Sequence, residues 1–233
     1  MRPAPICHDG SERAVQVELR DGSRVRIRQC RRTDRDLLVR GFERLSPESR
    51  YRRFLTPMHE LDARTLRYMT DVDHHDHEAM VALDESGEGV GDARYVRDNA
   101  QPDTAEVAVT VVDGWQGRGL GTLLLEAISA RARDEGVRTF TALMLASNHE
   151  MMDLFEHLGP VRIVGRAGGT IEIEVAIPPS AAAPRPARDG RHDDRSVSAG
   201  EQRQRAAVAA TARSNVEAET VDCMRAGTIT QSE

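Results

Sequence analysis

From Val15 to about Ile177 the chain alternates between two hydrophobic rhythms, one of period 2 and one of period 3.6. VQVEL (15–19) and RVRIR (24–28) interleave apolar and polar residues, and Arg20-Asp21-Gly22-Ser23 joins them. Asp-Gly between two alternating runs predicts a β-hairpin, because glycine reaches the positive φ that such turns require. Thr33 is placed to cap a helix running to about Leu45, with Asp36 three positions on giving a box-like start. Ser46-Pro47-Glu48 opens a second helix that carries Arg50, Arg52, Arg53, Phe54 and Leu55, and a third begins near Asp62. EAMVALD (78–84), VGDARYVRD (90–98) and TAEVAVTVVD (104–113) read as strands. From about Gly119, residues Leu120, Leu123, Leu124, Ala127 and Ile128 recur at the spacing of one buried helix stripe. TFTALMLA (139–146) suits a central strand, and Met151, Leu154, Phe155 and Leu158 form another helical stripe. VRIVGR and TIEIEVAI are two last strands about Gly168-Gly169. The order ββααα-βββ-α-β-α-ββ implies a single α/β (α+β) domain over 13–178, one mixed sheet flanked by helices.

Outside that span the pattern stops. Residues 1–12 read as a loose leader. After Pro178-Pro179 the chain is rich in Ala, Arg, Ser and acids and nearly devoid of large apolar residues. Burial there cannot offset the entropy of ordering, so 179–233 is expected to be a disordered tail. Its charges balance, eight arginines against eight acids, so the net charge of −6 belongs to the rest of the chain. That sign argues against nucleic acid as a partner. All 32 basic residues are arginine, which removes lysine as a nucleophile. Cys7, Cys30 and Cys223 are scattered, with no C-x-x-C spacing, so neither a disulfide framework nor a zinc ribbon is indicated. MRPAPICHDGSER has no apolar stretch fit for a signal peptide, and no run approaches the ~20 apolar residues of a membrane helix. The chain is therefore read as cytoplasmic, with no membrane partner.

The chemistry concentrates in Val109-Thr110-Val111-Val112-Asp113-Gly114-Trp115-Gln116-Gly117-Arg118-Gly119-Leu120-Gly121-Thr122, a glycine-rich turn between a β-branched strand and an amphipathic helix. Glycines at alternate positions let a bulky anion approach the backbone, and the first amides of the helix lack intrahelical partners. The helix dipole and the Arg118 fork favour a phosphate or pyrophosphate there. A Walker loop needs a lysine, and a dinucleotide fingerprint needs G-x-G-x-x-G; this chain has neither at the site.

Residues 104–159 resemble the cofactor-binding half of the GNAT superfamily of N-acetyltransferases, through V-V-D-x-W-Q-G-R-G-L-G-T and, downstream, A-S-N-H-E-M-M-D-L-F-E-H-L-G. The element order over 15–177 is also that family's order. AEVAVTVVDGWQGRGLG and the upstream SRYRRFL are most similar to bacterial protein lysine acetyltransferases. The resemblance implies a mixed, mostly antiparallel sheet and acetyl-CoA as cosubstrate, with no metal. It puts the pantetheine arm along Val109–Val111, on backbone groups freed by a bulge. The pyrophosphate would lie on the amides of Gly117, Arg118, Gly119, Leu120, Gly121 and Thr122, Gln116 would also contact the cofactor, and Asn148 would bond the pantetheine. An amine then attacks the thioester directly, without an acyl-enzyme, and the backbone N–H of Val111 meets the oxyanion.

Direct attack needs a neutral amine and so a base. Glu106 is the candidate, in a strand otherwise filled by Ala, Val and Thr, where apolar neighbours would raise its pKa. The family often places a tyrosine seven residues after the asparagine as acid for the leaving thiolate; here that residue is Phe155. Plainer readings stand beside each of these. Glu106 would be a solvent-facing strand residue, Asn148 a helix cap, His74-His75-Asp76-His77 a polar loop rather than a metal site, and Arg50, Arg52 and Arg53 a solvated helix face rather than the lining of an acidic entrance or contacts to the cofactor's phosphates. The acceptor expected is a primary amine, a protein lysine ahead of a small metabolite. The alternatives are a catalytically silent acetyl-CoA sensor and an interaction protein.

Overall fold

The Asp-Gly signal produces the hairpin it predicts. Strands β1 (Val15–Glu18) and β2 (Arg24–Gln29) pair antiparallel, with Gly22 at φ 84° and the Leu19 N–H bonded to the Ser23 carbonyl at 2.8 Å. This computed structural model describes residues 14–179; the leader and, apart from Pro179, the tail lie outside the described residues. No helix among the described residues is long and apolar enough to cross a membrane.

The remaining elements follow the expected order. Helices α1 (Arg35–Glu43), α2 (Pro47–Phe54) and α3 (Ala63–Thr70) precede strands β3 (His77–Leu83), β4 (Gly89–Arg97) and β5 (Thr104–Val111). Then come α4 (Leu120–Asp134), β6 (Thr139–Leu145), α5 (His149–Leu158), β7 (Val161–Ala167) and β8 (Thr170–Ala176). They build one eight-stranded sheet in the order β1-β2-β3-β4-β5-β6-β8-β7. The β5–β6 pair is parallel, whereas β1–β2, β2–β3, β3–β4, β4–β5 and β6–β8 are antiparallel.

Caps explain most helix starts. The Ser46 side chain accepts the Ser49 N–H and Asp62 accepts Thr65 N–H, so α2 and α3 begin where their sequences indicate. The first helix differs. Thr33 sits in a 3-10 turn, Arg32–Asp34, and α1 starts at Arg35. Asp34, one residue after Thr33, accepts two bonds from the buried Arg28 fork (2.6 and 2.8 Å) and one from the Arg31 N–H. That charged network, invisible in local sequence, sets the start of the helix.

β3 is buried along its whole length because both its faces are covered. Met80 and Ala82 pack on the side of α4, while Ala79, Val81 and Leu83 pack with Leu37, Leu38 and Met69 from α1 and α3. The buried stripe of α4 is Leu120, Leu124, Leu125, Ile128, Ser129 and Ala132; Leu123 and Ala127, expected inside, are only half-buried. Leu124 and Ile128 are fully enclosed, and truncating either to alanine costs about 2–5 kcal/mol.

Candidate active site

β5 and β6 stay side by side for only three rungs, Thr104↔Thr139, Ala105↔Phe140 and Glu106↔Thr141, and then diverge. β5 meanwhile remains paired with β4 without a register break from Arg97↔Ala105 to Gly91↔Val111. Antiparallel pairs exchange hydrogen bonds at every second residue. The Val112 N–H bonds the Val90 carbonyl at 3.0 Å, which fixes the phase: Thr110 and Ala108 face β4, and Val109 and Val111 turn their amides toward the gap. The backbone groups expected along 109–111 are thus freed by strand divergence and not by a bulge. Gln116 Nε2 takes the Val111 carbonyl at 3.0 Å, leaving the Val111 N–H facing the gap.

The gap opens into a cleft of about 510 Å³ lined by β5, the glycine turn and α5. Val112 and Asp113 lead into a 3-10 turn, Asp113–Trp115, that brings the chain to Gly117 (φ 72°) and Gly119 (φ 88°). Gly119 is the N-cap of α4, and no side chain caps the helix. The first helical bond runs from Leu123 N–H to the Gly119 carbonyl, so the amides of Leu120, Gly121 and Thr122 have no helical acceptor. A serine or aspartate cap would occupy them; glycine leaves them, and the positive end of the dipole, for an external anion.

The cation at this turn is not the one expected. Arg118 pairs with Asp21 at 2.9 Å, donates to the Gly114 carbonyl and lies over the Trp115 ring, so its fork pins the β1–β2 hairpin and does not line the cleft. Arg20, from that hairpin, lines the cleft instead. Its Nε comes to 3.3 Å from where a Cβ on Gly119 would stand. No short-range signal relates Arg20 to Gly119, because only the sheet order brings them together.

α2 closes the other wall. Asp113 accepts from Ser46 N–H (2.9 Å), Ser46 Oγ (2.7 Å) and Ser49 Oγ (2.9 Å), which fastens α2 to the turn. Burial pushes the Asp113 carboxyl up, but these bonds outweigh it and hold the group below its ordinary value. The three arginines of α2 are half-buried, not a solvated face. Arg50 stacks on Phe42, Arg52 bridges Glu48 (2.7 Å) and Glu150 of α5 (3.0 Å), and Arg53 lines the cleft. Long stems that cover apolar surface while the heads find partners account for the difference.

Asn148 is buried and caps α5, its Oδ1 accepting the Met151 N–H at 3.2 Å. It also lines the cleft, so the cap uses the oxygen and leaves Nδ2 to the cleft. Phe155 is 1% exposed, inside the core. Glu106 occupies the last β5–β6 rung, where the strands part. Its neighbours Ala105 and Val107 are buried on the α4 face, whereas Glu106 itself is exposed on the other, so the desolvation inferred from its apolar neighbours is not present. His74 meets Glu78, His75 meets Glu135, Asp76 meets Arg97 and His77 stacks on Tyr68, so this loop ties β3 and β4 to α4.

The glycine-led start of α4 stands where the motifs put it, and the acetyltransferase (GNAT) family profile matches residues 40–159. The chain belongs to the GNAT acetyltransferase family. Acetyltransferase Pat of Mycolicibacterium smegmatis is 34% identical over 166 residues, covering 71% of this chain and 49% of that protein. The chain thus spans about half the length of that relative. Acetyltransferase PA5475 of Pseudomonas aeruginosa is 37% identical over 144 residues, covering 60% of this chain and 77% of its own. Among solved structures, the GNAT domain of S. lividans PAT superposes with a TM-score of 0.66 at 34% identity, covering 70% of this chain and 96% of that one. Of the cleft-lining residues in this GNAT domain, Arg20 carries no sequence signal, whereas Arg53 and Thr110 lie in segments the sequence singles out.

Proposed function

We propose that the chain is an acetyl-CoA-dependent N-acetyltransferase that moves the acetyl group to a primary amine, a protein lysine side chain, by direct attack in a ternary complex. The observation that carries this reading is the free set of amides at Leu120–Thr122 lying beside the unpaired edge of β5. The diphosphate fits the helix N-terminus with Arg20 alongside, and the pantetheine fits the edge at Val109 and Val111 with Asn148 Nδ2 opposite. Acetyl-CoA brings an activated thioester; the Val111 N–H is oriented to receive the oxyanion as the amine adds. Glu106, at the vertex of the splay and exposed on the face away from α4, takes the amine proton.

Cysteine chemistry has little support. Cys30 is the free cysteine among the described residues, fully buried, and burial pushes its thiol up to about 12, far from a thiolate nucleophile. A free buried thiol also accords with a reducing cytoplasm. The similarity of AEVAVTVVDGWQGRGLG and SRYRRFL to bacterial protein lysine acetyltransferases favours a lysine acceptor over a metabolite. One observation favours a second reading, an acetyl-CoA sensor without turnover: the core position of Phe155 leaves no tyrosine to protonate the thiolate. Calorimetry with acetyl-CoA followed by a thiol-release assay on lysine-bearing proteins tests both. Binding with release supports the transferase, binding without release supports the sensor, and no binding contradicts each.

A further inference from the structure

Resting on the transferase reading, we propose that Arg53, with the Thr110 hydroxyl, holds the departing sulfur of coenzyme A as a thiolate, in the role that Phe155 cannot fill. Arg53 makes no hydrogen bond and no ion pair among the described residues, and its Nε is buried. Its guanidinium carbon lies 5.0 Å from the centre of the Phe54 ring. Thr110 Oγ1 is likewise buried without a partner. Both side chains line the cleft and also an apolar cavity of about 40 Å³ behind it, between α1, α2 and the sheet, so both stand at the wall that these spaces share.

An unpaired guanidinium in such surroundings is under electrostatic strain. Burial pushes the Arg53 pKa down, Asp92 and Glu106 pull it back, and Arg94 opposes them. Asp92 is itself bonded by Arg94 through Nε (3.2 Å) and Nη2 (3.1 Å). The other arginines of the cleft are placed otherwise: Arg20 at the glycine turn and Arg52 between two glutamates. Arg53 is the cation beside Thr110, in the stretch of β5 where the thioester lies in the proposed complex.

The anion that arises there is produced by the reaction. The amine nitrogen forms a bond to the thioester carbonyl, whose electron pair moves to oxygen. Glu106 takes the ammonium proton that leaves the amine free to attack; on collapse the C–S bond breaks with its pair on sulfur, and the second nitrogen proton is lost to solvent. No proton donor is required if the thiolate is stabilised in place by a permanent cation and a hydroxyl donor, and solvent protonates it after release.

Titrating the thiol of bound coenzyme A by its ultraviolet thiolate absorbance tests this without any acceptor. In the wild-type complex the thiol is expected to ionise about 1–3 pH units below that of free coenzyme A, the effect of an opposite charge at close range. Arg53→Gln is expected to abolish most of that shift, Arg53→Lys to keep part of it and Thr110→Val to lose a smaller part. A bound thiol that titrates like the free one in the wild-type protein overturns the assignment even if no variant folds, as does an unchanged shift in Arg53→Gln. Failure of coenzyme A to bind, read by calorimetry, refutes the transferase reading itself and is distinguishable from either result.

Discussion

Gln116 Nε2 donates to the carbonyl of Val111 at 3.0 Å, five residues back along the chain. This bond folds the glycine turn against the free edge of β5 and satisfies the one Val111 backbone group that would compete with a ligand for the gap. Gln116→Ala is expected to weaken acetyl-CoA binding about tenfold, the worth of one lost hydrogen bond plus loosened geometry, and to alter stability little because the side chain is exposed. Calorimetry and urea unfolding on the same variant check both halves.

Gly119 holds a φ of +88°, and a Cβ there would stand 3.3 Å from Arg20 Nε. Gly119→Ala should therefore lose about 1–2 kcal/mol of stability to the left-handed backbone and at least about tenfold in acetyl-CoA affinity. Arg20→Ala touches no backbone strain. It is expected to weaken binding several-fold and to flatten the dependence of affinity on salt, as removal of a phosphate contact does. Equal salt slopes in Arg20→Ala and wild type would count against a phosphate beside the hairpin.

Glu106→Gln separates chemistry from binding. The proposed base touches the amine and not the cofactor, so its loss should lower the rate about 10²-fold or more while acetyl-CoA affinity stays within about twofold. Steady-state rates beside calorimetry decide the matter; an undiminished rate removes Glu106 from the mechanism.

Asp34 and Arg28 form a buried bidentate ion pair under α1, with Arg31 N–H as a third donor. Burial raises the Asp34 carboxyl, and the Arg28 bonds and the Arg31 amide more than reverse it, leaving its pKa lowered. Its folded pKa thus lies below the unfolded value of about 3.9, so its stabilisation is complete above that pH and fades as the pH falls through the lowered one. Asp34→Asn, which strands a buried guanidinium, is expected to cost about 3–5 kcal/mol at pH 7 and to show a shallower acid unfolding transition than wild type. Urea melts from pH 7 down to pH 3 supply the comparison.

Much of this molecule is legible in its residues, for identifiable reasons. Long amphipathic runs such as 104–111 and 120–134 declare their elements because burial must follow the backbone period. The glycine turn is legible because glycines stand at alternate positions, 117, 119 and 121, and the positive φ of Gly117 and Gly119 adds a second reason for them. What stayed hidden depends on distant partners. Arg118 reads as the phosphate ligand until Asp21 claims it, and Arg20 gains its place only through the hairpin's packing on the turn. Strand alternation sent the apolar neighbours of Glu106 to the opposite face, which a list of adjacent residue types does not reveal. The unpaired Arg53 and Thr110 looked like surface and strand filler, since a missing partner is a property of three-dimensional packing alone.

The central claim is that main-chain amides at the start of α4 grip a diphosphate. A crystal structure of the protein with coenzyme A tests it most directly. Diphosphate oxygens within hydrogen-bonding distance of the N–H groups of Leu120, Gly121 and Thr122 are expected; a ligand bound elsewhere, with those amides facing only water, would contradict it.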